Sequence, residues 1–302
     1  MTNIHRSDIY AQVTEAIVAD LSKGVRPWSK PWTSGPFGLP VRHNGEPYRG
    51  INVVILWVAA MAKGYSSPRW MTYRQAQALG GQVKRGEKST GVVYAKAIDT
   101  TDTNDSGEKV SGQVFLTRSY SVFNAEQIEG LPEASPAVPV AAEPISPIEV
   151  AERFFAATGA EFRYGGDKAF YSPRLDYIQM PPLSAFSDPY GFAATKAHEL
   201  THWTLHPTRL NRTQETLRFG NESYAREELV AELGAAFLCA TLGISAEPRA
   251  EHAEYIGDWL QVLQNDHRAI FTAAAQAQRA VDYLHGLQPV PLAPVEEEIS
   301  EF

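Results

Sequence analysis

The sequence has almost no cysteine and no long apolar run, and both absences limit the kind of protein it encodes. Cys239 is the one cysteine in 302 residues, which excludes an intrachain disulfide and a cysteine-cluster zinc site. The longest apolar run, 53–62, has 10 residues, whereas a helix needs about 20 to cross a bilayer. The charged-then-apolar layout of a signal peptide is also missing from the N-terminus. We therefore expect a cytoplasmic protein with no membrane partner.

The chain carries an excess of acidic residues, and the excess is confined to its second half. The net charge is −8. Residues 1–131 contain 15 Lys and Arg against 11 Asp and Glu, whereas residues 132–302 contain 12 against 24. A hydrophobic content of 44% is enough for a folded core and excludes disorder of the whole chain. The opposite charges predict two domains with different partners. The basic domain is the better match to nucleic acid.

A proline-rich segment marks the predicted boundary between the two domains. Residues 132–147 contain five prolines among Ala, Val, Ser and Glu, a composition typical of an extended linker. This linker separates a domain at 1–131 from a domain at 148–288. The last residues, 289–302, are rich in Pro and Glu and are predicted to form a flexible tail.

Hydrophobic spacing, turn residues and β-branched content together predict an α+β fold. The first domain is predicted as an α/β unit with helices around 9–21, 51–63 and 72–79, strands at 92–95 and 114–122, and a long exposed loop at 99–112. The second domain is predicted to be mostly helical, with helices at 148–158, 188–206 and 221–242, two more within 248–287, and short strands near 162 and at 177–180.

The strongest motif is a His-Glu-x-x-His sequence formed by His198, Glu199 and His202. It lies within the helix predicted for 188–206, where a spacing of four residues puts both imidazoles on one face, one turn apart. Two neutral nitrogens so placed can bind one Zn²⁺ at about 2.0–2.1 Å. Glu199 can then take a proton from a water on the metal and act as general base. The motif therefore predicts a metal site and hydrolysis at a carbonyl group.

The metal interpretation has an alternative, because the same motif can arise by chance with histidines that are solvated or cap the helix. The apolar neighbours Phe192, Leu200 and Trp203 favour the metal site. Histidine and glutamate ligands suit zinc, but Mn²⁺ can occupy a similar site. The sequence leaves the choice between Zn²⁺ and Mn²⁺ open.

A site of this kind needs a third protein ligand. A metzincin would have a histidine six residues after His202, where this chain has Thr208. His206 is on the helix of the motif, and we expect it to be a structural or outer residue of the site. Glu228 and Glu232 are four residues apart on the next predicted helix and share one face. We predict Glu228 as the ligand and Glu232 as the carboxylate that orients a histidine, and the reverse assignment stays open.

Tyr224 lies one helical turn before Glu228. Its hydroxyl could donate a hydrogen bond to an oxyanion during hydrolysis. The alternative is a tyrosine that packs through its ring and leaves its hydroxyl in water. Tyr224 is therefore a candidate outer residue of the site, together with Glu232 and His206.

The first half combines cations with aromatic rings, as binding of single-stranded nucleic acid requires. A glycine-bounded basic loop at 80–88 is suited to phosphate contacts. The candidate DNA-contacting residues are Arg49, Arg69, Trp70, Arg74, Lys84, Arg85 and Lys88. The alternative is that these cations are ordinary surface residues and that the tryptophans pack in a core.

Several strings of residues, in order along the chain, resemble the ArdC antirestriction proteins of conjugative plasmids. In the first half the resemblance rests on residues 48–52, 70–76 and 81–88. In the second half it rests on residues 198–204, 209–212, 219–220 and 227–233. The linker and the tail carry none of it.

The resemblance implies an N-terminal domain that binds single-stranded DNA, similar to one in some plasmid primases, and a C-terminal zincin-like metallopeptidase domain. It further implies that the protein protects incoming plasmid DNA from host restriction during conjugation. Single-stranded DNA is then the expected partner, and a protein substrate of the peptidase site is left open. Two alternatives are a DNA-binding protein whose metal site is structural or vestigial, and a peptidase with no role in nucleic acid binding.

Overall fold

The computed structural model describes residues 6–28, 38–103, 109–132, 146–212, 222–244 and 253–289. Most of the predicted linker and tail lies outside these residues. The described part consists of helices and small sheets in both halves of the chain, so the predicted α+β class is confirmed. Among the described helices, none is both long and apolar enough to cross a membrane.

The described part of the first half contains helices and strands that surround one long hairpin. The helices are α1 (Arg6–Leu21), α2 (Ile51–Lys63) and α3 (Tyr73–Ala78). The strands are β1 (Trp70–Met71), β2 (Gln82–Val83), β3 (Thr90–Thr103), β4 (Lys109–Asn124) and β5 (Ile128–Glu129). Strands β3 and β4 form the hairpin, β1 pairs with the end of β4, and β2 pairs with β5, all antiparallel.

The hairpin is longer than the sequence predicted. Its ladder runs from the Thr90–Val122 pair to the Thr103–Lys109 pair, so the prediction of an exposed loop over 99–112 was wrong for most of that segment. The polarity of the segment was misleading, because backbone groups carry the pairing. Three of its residues are threonines, which are polar but have high strand propensity.

Helix α2 is the buried helix of the first half, as its apolar run predicted. Val53, Val54 and Leu56 are each fully buried. The helix ends where Gly64 takes a left-handed conformation with φ of 71°, which a residue with a side chain adopts only at a cost. The predicted boundaries of this helix are confirmed.

The described part of the second half packs helices against a three-stranded sheet. The helices are α4 (Pro147–Ala157), α5 (Pro189–Trp203), α6 (Glu222–Leu242), α7 (Ala253–Asn265) and α8 (Ala269–Gly286). The strands are β6 (Glu161–Tyr164), β7 (Phe170–Ser172) and β8 (Tyr177–Met180), with β8 central, parallel to β6 and antiparallel to β7. The helices predicted for this half are confirmed, except that α5 ends at Trp203, three residues before the predicted end at residue 206. Strand β7 was not predicted from the sequence.

One apolar core connects the two halves. It contains buried side chains of α1 and α2 together with those of α6, α7 and α8. The rings of Trp28 and Trp259 pack edge to face with centroids 5.8 Å apart. The rings of Trp57 on α2 and Phe237 on α6 lie 5.9 Å apart. The halves are therefore joined by buried surface as well as by the covalent chain.

Candidate metal centre

Helix α5 carries the histidine pair and is buried along most of its length. The side chain of Asp188 caps it by accepting a hydrogen bond from the Gly191 backbone N–H at 2.9 Å. The imidazoles of His198 and His202 lie side by side, with ring centroids 4.8 Å apart and planes at 81°. Because of the four-residue spacing, both rings lie next to each other in the interior of the protein.

Helix α6 brings a glutamate to the same point. The Glu228 carboxylate lies between the two rings, with Oε2 3.5 Å from His198 Nε2 and Oε1 3.5 Å from His202 Nε2. One ligand atom from each of these three residues lies within 4.8 Å of the others. A cation placed among them could contact all three side chains.

A glycine allows α6 to approach α5 this closely. A Cβ atom at Gly234 would lie 2.5 Å from Cγ2 and 2.8 Å from Oγ1 of Thr201 on α5, which is closer than real contacts allow. The Thr201 hydroxyl is fixed because it donates to the Ala197 carbonyl at 2.8 Å. Gly234 therefore sets the distance between the helix of the histidines and the helix of the glutamate.

Each imidazole also has a carboxylate beside its other nitrogen. Glu232 Oε1 lies 3.4 Å from His198 Nδ1, as expected for the carboxylate that orients a histidine. Glu227 Oε1 lies 3.3 Å from His202 Nδ1 and accepts a hydrogen bond from Arg212 at 2.7 Å. Sequence reasoning missed the role of Glu227 and Arg212. Both residues lie in segments that carry the family resemblance, but spacing alone does not tell which neighbour faces which ring.

Burial and charge act in opposite directions on these groups. Burial lowers the pKa of His202, but the Glu228 and Glu227 carboxylates outweigh it and the net shift is well upward. Burial raises the pKa of Glu228, yet the two histidines hold it far below its usual range. The Glu228 carboxylate is therefore charged throughout the neutral range.

The donor set fits a divalent cation. Two imidazoles and one carboxylate are the ligands of a catalytic zinc site that keeps a fourth position open. Three buried glutamates, Glu199, Glu228 and Glu232, and the partly buried Glu227 surround the histidines, and Arg26 and Arg212 pair with Glu232 and Glu227. Uncompensated buried carboxylates are costly. A cation of charge two could replace protons on the two histidines as the charge that balances the other two carboxylates.

Glu199 is buried beside the two imidazoles, with 6% of its surface exposed. Its carboxylate raises the pKa of both His198 and His202 through charge. It therefore lies near the cluster without being one of the three converging ligand groups.

Tyr224 and His206 take different places in the structure. Burial and the Glu228 carboxylate raise the pKa of Tyr224, whose hydroxyl lies 3.4 Å from that of Tyr255. Tyr224 is thus beside the candidate ligand. His206 lies beyond the end of α5, and its Nδ1 contacts the Thr208 hydroxyl at 2.8 Å within a turn. His206 is therefore not one of the three converging ligand groups.

The structure does not bring the seven candidate DNA-contacting residues to one surface. Trp70 is only 1% exposed and packs edge to face against Tyr65 at 5.9 Å, so its ring offers no face to a base. Arg49 forms an ion pair with Asp282 on α8. Arg69 is partly buried next to β1. Arg69 and Trp70 were selected for type and sequence neighbourhood, which do not reveal burial, whereas Arg49 is exposed.

The other four candidates are exposed as well. They are Arg74, Lys84, Arg85 and Lys88. The loop that carries the last three is anchored by Gln127, whose side chain donates to the Lys88 carbonyl at 2.9 Å. Two exposed rings that the sequence did not single out lie in the same half, Tyr73 at 41% and Tyr94 at 52% exposure. The Tyr73 hydroxyl accepts a hydrogen bond from Gln82, next to the basic loop.

Comparison with known families divides the chain into the same two halves. Residues 7–123 match the model of the N-terminal domain of the anti-restriction factor ArdC, and residues 149–276 match a model of zincin-like metallopeptidases. The predicted two-domain organisation and zincin-like second domain are thereby confirmed. Fold and site define a zincin-like metallopeptidase domain joined to a second, smaller α/β unit.

Solved structures give the particular family. Crystal structures of the antirestriction ArdC protein from plasmid R388, one metal-free and one Mn(II)-bound, are 44% identical to this chain with a TM-score of 0.75. The similarity covers 93% of this chain and 97% and 98% of those chains. The chain belongs to the ArdC antirestriction protein family, as the resemblance predicted.

Curated relatives extend the comparison. An uncharacterized protein of Sinorhizobium fredii is 39% identical over 290 residues, which is 93% of each chain. Two proteins named DNA primase TraC from Escherichia coli are 40% and 39% identical. These alignments cover 92% and 90% of this chain but only 27% and 19% of the primases.

Proposed function

We propose that the protein is a plasmid antirestriction protein that binds single-stranded DNA and protects incoming DNA from host restriction during conjugation. Its second half carries a metal-dependent, peptidase-like site. The observation that carries the proposal is the convergence of His198, His202 and Glu228 within a member of the ArdC family. The protein would act in the cytoplasm, where incoming DNA meets the host nucleases.

We propose His198, His202 and Glu228 as the ligands of one divalent cation. Zinc suits the two imidazoles and the carboxylate, and Mn²⁺ is the alternative because the R388 relative has a Mn(II)-bound structure. Such a cation, when bound, polarises a carbonyl and lowers the pKa of a water molecule. Glu232 and Glu227 would hold the two rings in the orientation that turns Nε2 toward Glu228.

Glu199 and Tyr224 are the groups we propose to act on a peptide. The charge of Glu199 raises the pKa of both histidines, and Glu199 is not among the three converging ligand groups, which supports a role as the group that accepts a proton. The raised pKa of Tyr224 keeps its hydroxyl protonated, so that it can donate a hydrogen bond to a developing oxyanion.

A second candidate function is DNA binding with a structural metal site. The observation that favours it is burial: His198, Glu199 and Glu228 are only 5%, 6% and 5% exposed. Structural metal sites are closed, whereas catalytic sites keep an open position. In this alternative the protein would hinder restriction by coating the strand.

The variant Glu199→Gln in the full chain separates the two functions. If the site is a peptidase that acts in protection, the variant keeps its metal content but loses cleavage of a denatured protein substrate by about 10²-fold or more. Restriction protection during conjugation is then measured for wild type and variant side by side. Protection that survives unchanged assigns the function to DNA binding and contradicts a role for proteolysis.

We propose that the exposed cations of the 80–88 loop contact DNA phosphates. Replacement of Arg85 and Lys88 by Gln should weaken single-stranded DNA binding, and the slope of log affinity against log salt should fall by about 1.4 for two lost phosphate contacts. The matched control replaces Lys168 and Arg174, two exposed cations of the second half, by Gln. If both double variants bind DNA equally, the loop is not the contact surface.

A further inference from the structure

The metal centre receives side chains from both halves of the chain. Arg26 and Trp28 follow α1 and lie within the 7–123 match to the ArdC N-terminal domain. Both are buried, with 7% and 3% of their surface exposed. Their side chains lie against Glu232 on α6, more than 200 residues away in sequence.

The contacts of Glu232 divide between its two oxygens. Oε2 accepts a hydrogen bond from Trp28 Nε1 at 3.3 Å and lies 3.5 Å from Arg26 Nη1. Oε1 lies 3.4 Å from His198 Nδ1. The carboxylate is therefore held on one side by donors from the first half and faces the imidazole on the other.

A carboxylate fixed in this way controls the ring that it faces. A proton on His198 Nδ1, facing Glu232 Oε1, would leave Nε2 with a free lone pair. That Nε2 is the atom 3.5 Å from Glu228. If Glu232 could rotate, His198 would lose the partner that fixes its orientation, and the three ligand groups would be less well preorganised.

We infer that Arg26 and Trp28 are positioning residues of the metal centre, through which the N-terminal half contributes to metal affinity by fixing Glu232. The inference rests on the metal site of the proposed function. Because coupling between two binding events is reciprocal, a bound cation should also stabilise the docking of residues 26–28 against α6 by the same factor.

Conservative variants of the full-length protein test the inference. Trp28→Phe removes the indole N–H and keeps a ring. Trp259→Phe is the matched control, since Trp259 packs on Trp28 and its Nε1 is buried without a hydrogen-bond partner among the described residues. Arg26→Met removes the charge, and Arg26→Lys restores it. Dissociation constants for Zn²⁺ and Mn²⁺ are measured by competition with a chelator, and melting of the metal-free proteins confirms that each variant folds.

The expected result is a graded loss of metal affinity. Glu232→Gln should weaken binding by about 10- to 100-fold, as for other partners of ligating histidines. Trp28→Phe and Arg26→Met act one step further out and should each weaken it by about three- to tenfold. Arg26→Lys should recover part of the loss, and Trp259→Phe should bind within about twofold of wild type.

Three results would overturn the inference, and each of them leads to a different conclusion. Folded Trp28→Phe and Arg26→Met proteins with wild-type affinity, beside a weakened Glu232→Gln, overturn it and leave the proposed metal site intact. An equal loss in Trp259→Phe shows that packing, and not the hydrogen bond to Glu232, is responsible. A wild-type protein that binds neither ion overturns the proposed metal site and this inference together.

Discussion

A single aspartate connects the sheet of the second half to the turn that follows the histidine helix. Asp176 lies between β7 and β8 with φ of 52° and accepts hydrogen bonds from Arg209 and Tyr171. Arg209 in turn packs its guanidinium 3.8 Å from the centroid of the Trp203 ring. This ion pair therefore fixes the position of the chain just beyond the end of α5.

We predict that Asp176→Asn lowers the free energy of unfolding by about 1 kcal/mol at pH 7. The loss is modest because the Asp176 side chain is 38% exposed and water screens the pair. Asn tolerates the left-handed backbone, so the variant removes the charge and one of the two acceptor oxygens without adding backbone strain. Asp167→Asn, an exposed aspartate of the preceding loop, is the control.

The same variant has a predicted pH dependence. Hydrogen bonds from Arg209 hold the pKa of Asp176 below its usual value of about 4. A lowered folded pKa stabilises the protein above the unfolded pKa, and that stabilisation is lost as pH falls toward the folded value. Denaturant unfolding of both proteins should therefore show a constant difference above about pH 5 that shrinks below about pH 4. A difference that grows in acid would contradict the assignment.

At the scale of elements, the crossing of α5 and α6 determines the geometry of the metal centre. Gly234 lies where the two helices meet, and Thr201 occupies the space that a larger residue would need. The two imidazoles lie on one helix and three of the glutamates lie on the other. A shift of either helix would therefore move the Glu228 carboxylate away from the two histidines.

We predict that Gly234→Ala destabilises the protein by about 1–3 kcal/mol, because the added methyl overlaps Thr201. Gly257→Ala on α7 is the matched control, since its Cβ meets no atom within 4 Å, and it should stabilise by about 0.5–1 kcal/mol. The double variant Gly234→Ala with Thr201→Ala should recover part of the loss in urea unfolding. Additive losses in the double variant would show that the clash is not the cause.

The elements also show what the sequence could predict. The spacing of His198 and His202 and the apolar run of α2 are local patterns. Such patterns were sufficient to predict that these segments are helices and that the two histidines share one helix face. Glu227, Arg26 and Trp28 reach the site through tertiary packing, which leaves no periodic signal. Trp70 was misassigned for the same reason, because residue type does not distinguish a stacking ring from a buried one.

At the scale of the whole molecule, the shared core decides how the protein unfolds. Side chains of α1 and α2 are buried against α6, α7 and α8. The two halves are expected to unfold together. Unfolding one half would expose apolar surface that is buried on the other half, and this exposure costs free energy.

We predict a single cooperative unfolding transition for the full chain despite its two family matches. Scanning calorimetry should give a calorimetric enthalpy equal to the van't Hoff enthalpy, and tryptophan fluorescence and circular dichroism should change at the same temperature. Two resolved transitions would show that the packing of α1 and α2 against α6, α7 and α8 is too weak to couple the halves.

The same interface bears on how such chains are inherited. A recombination event that replaced only one half would have to supply side chains that fit Trp259 and Phe237, or it would leave an exposed apolar surface prone to aggregation. The alignments to the primases cover 92% and 90% of this chain, so both halves occur there side by side. Recombination would thus transmit the two halves as one unit, with the buried contacts between them kept intact.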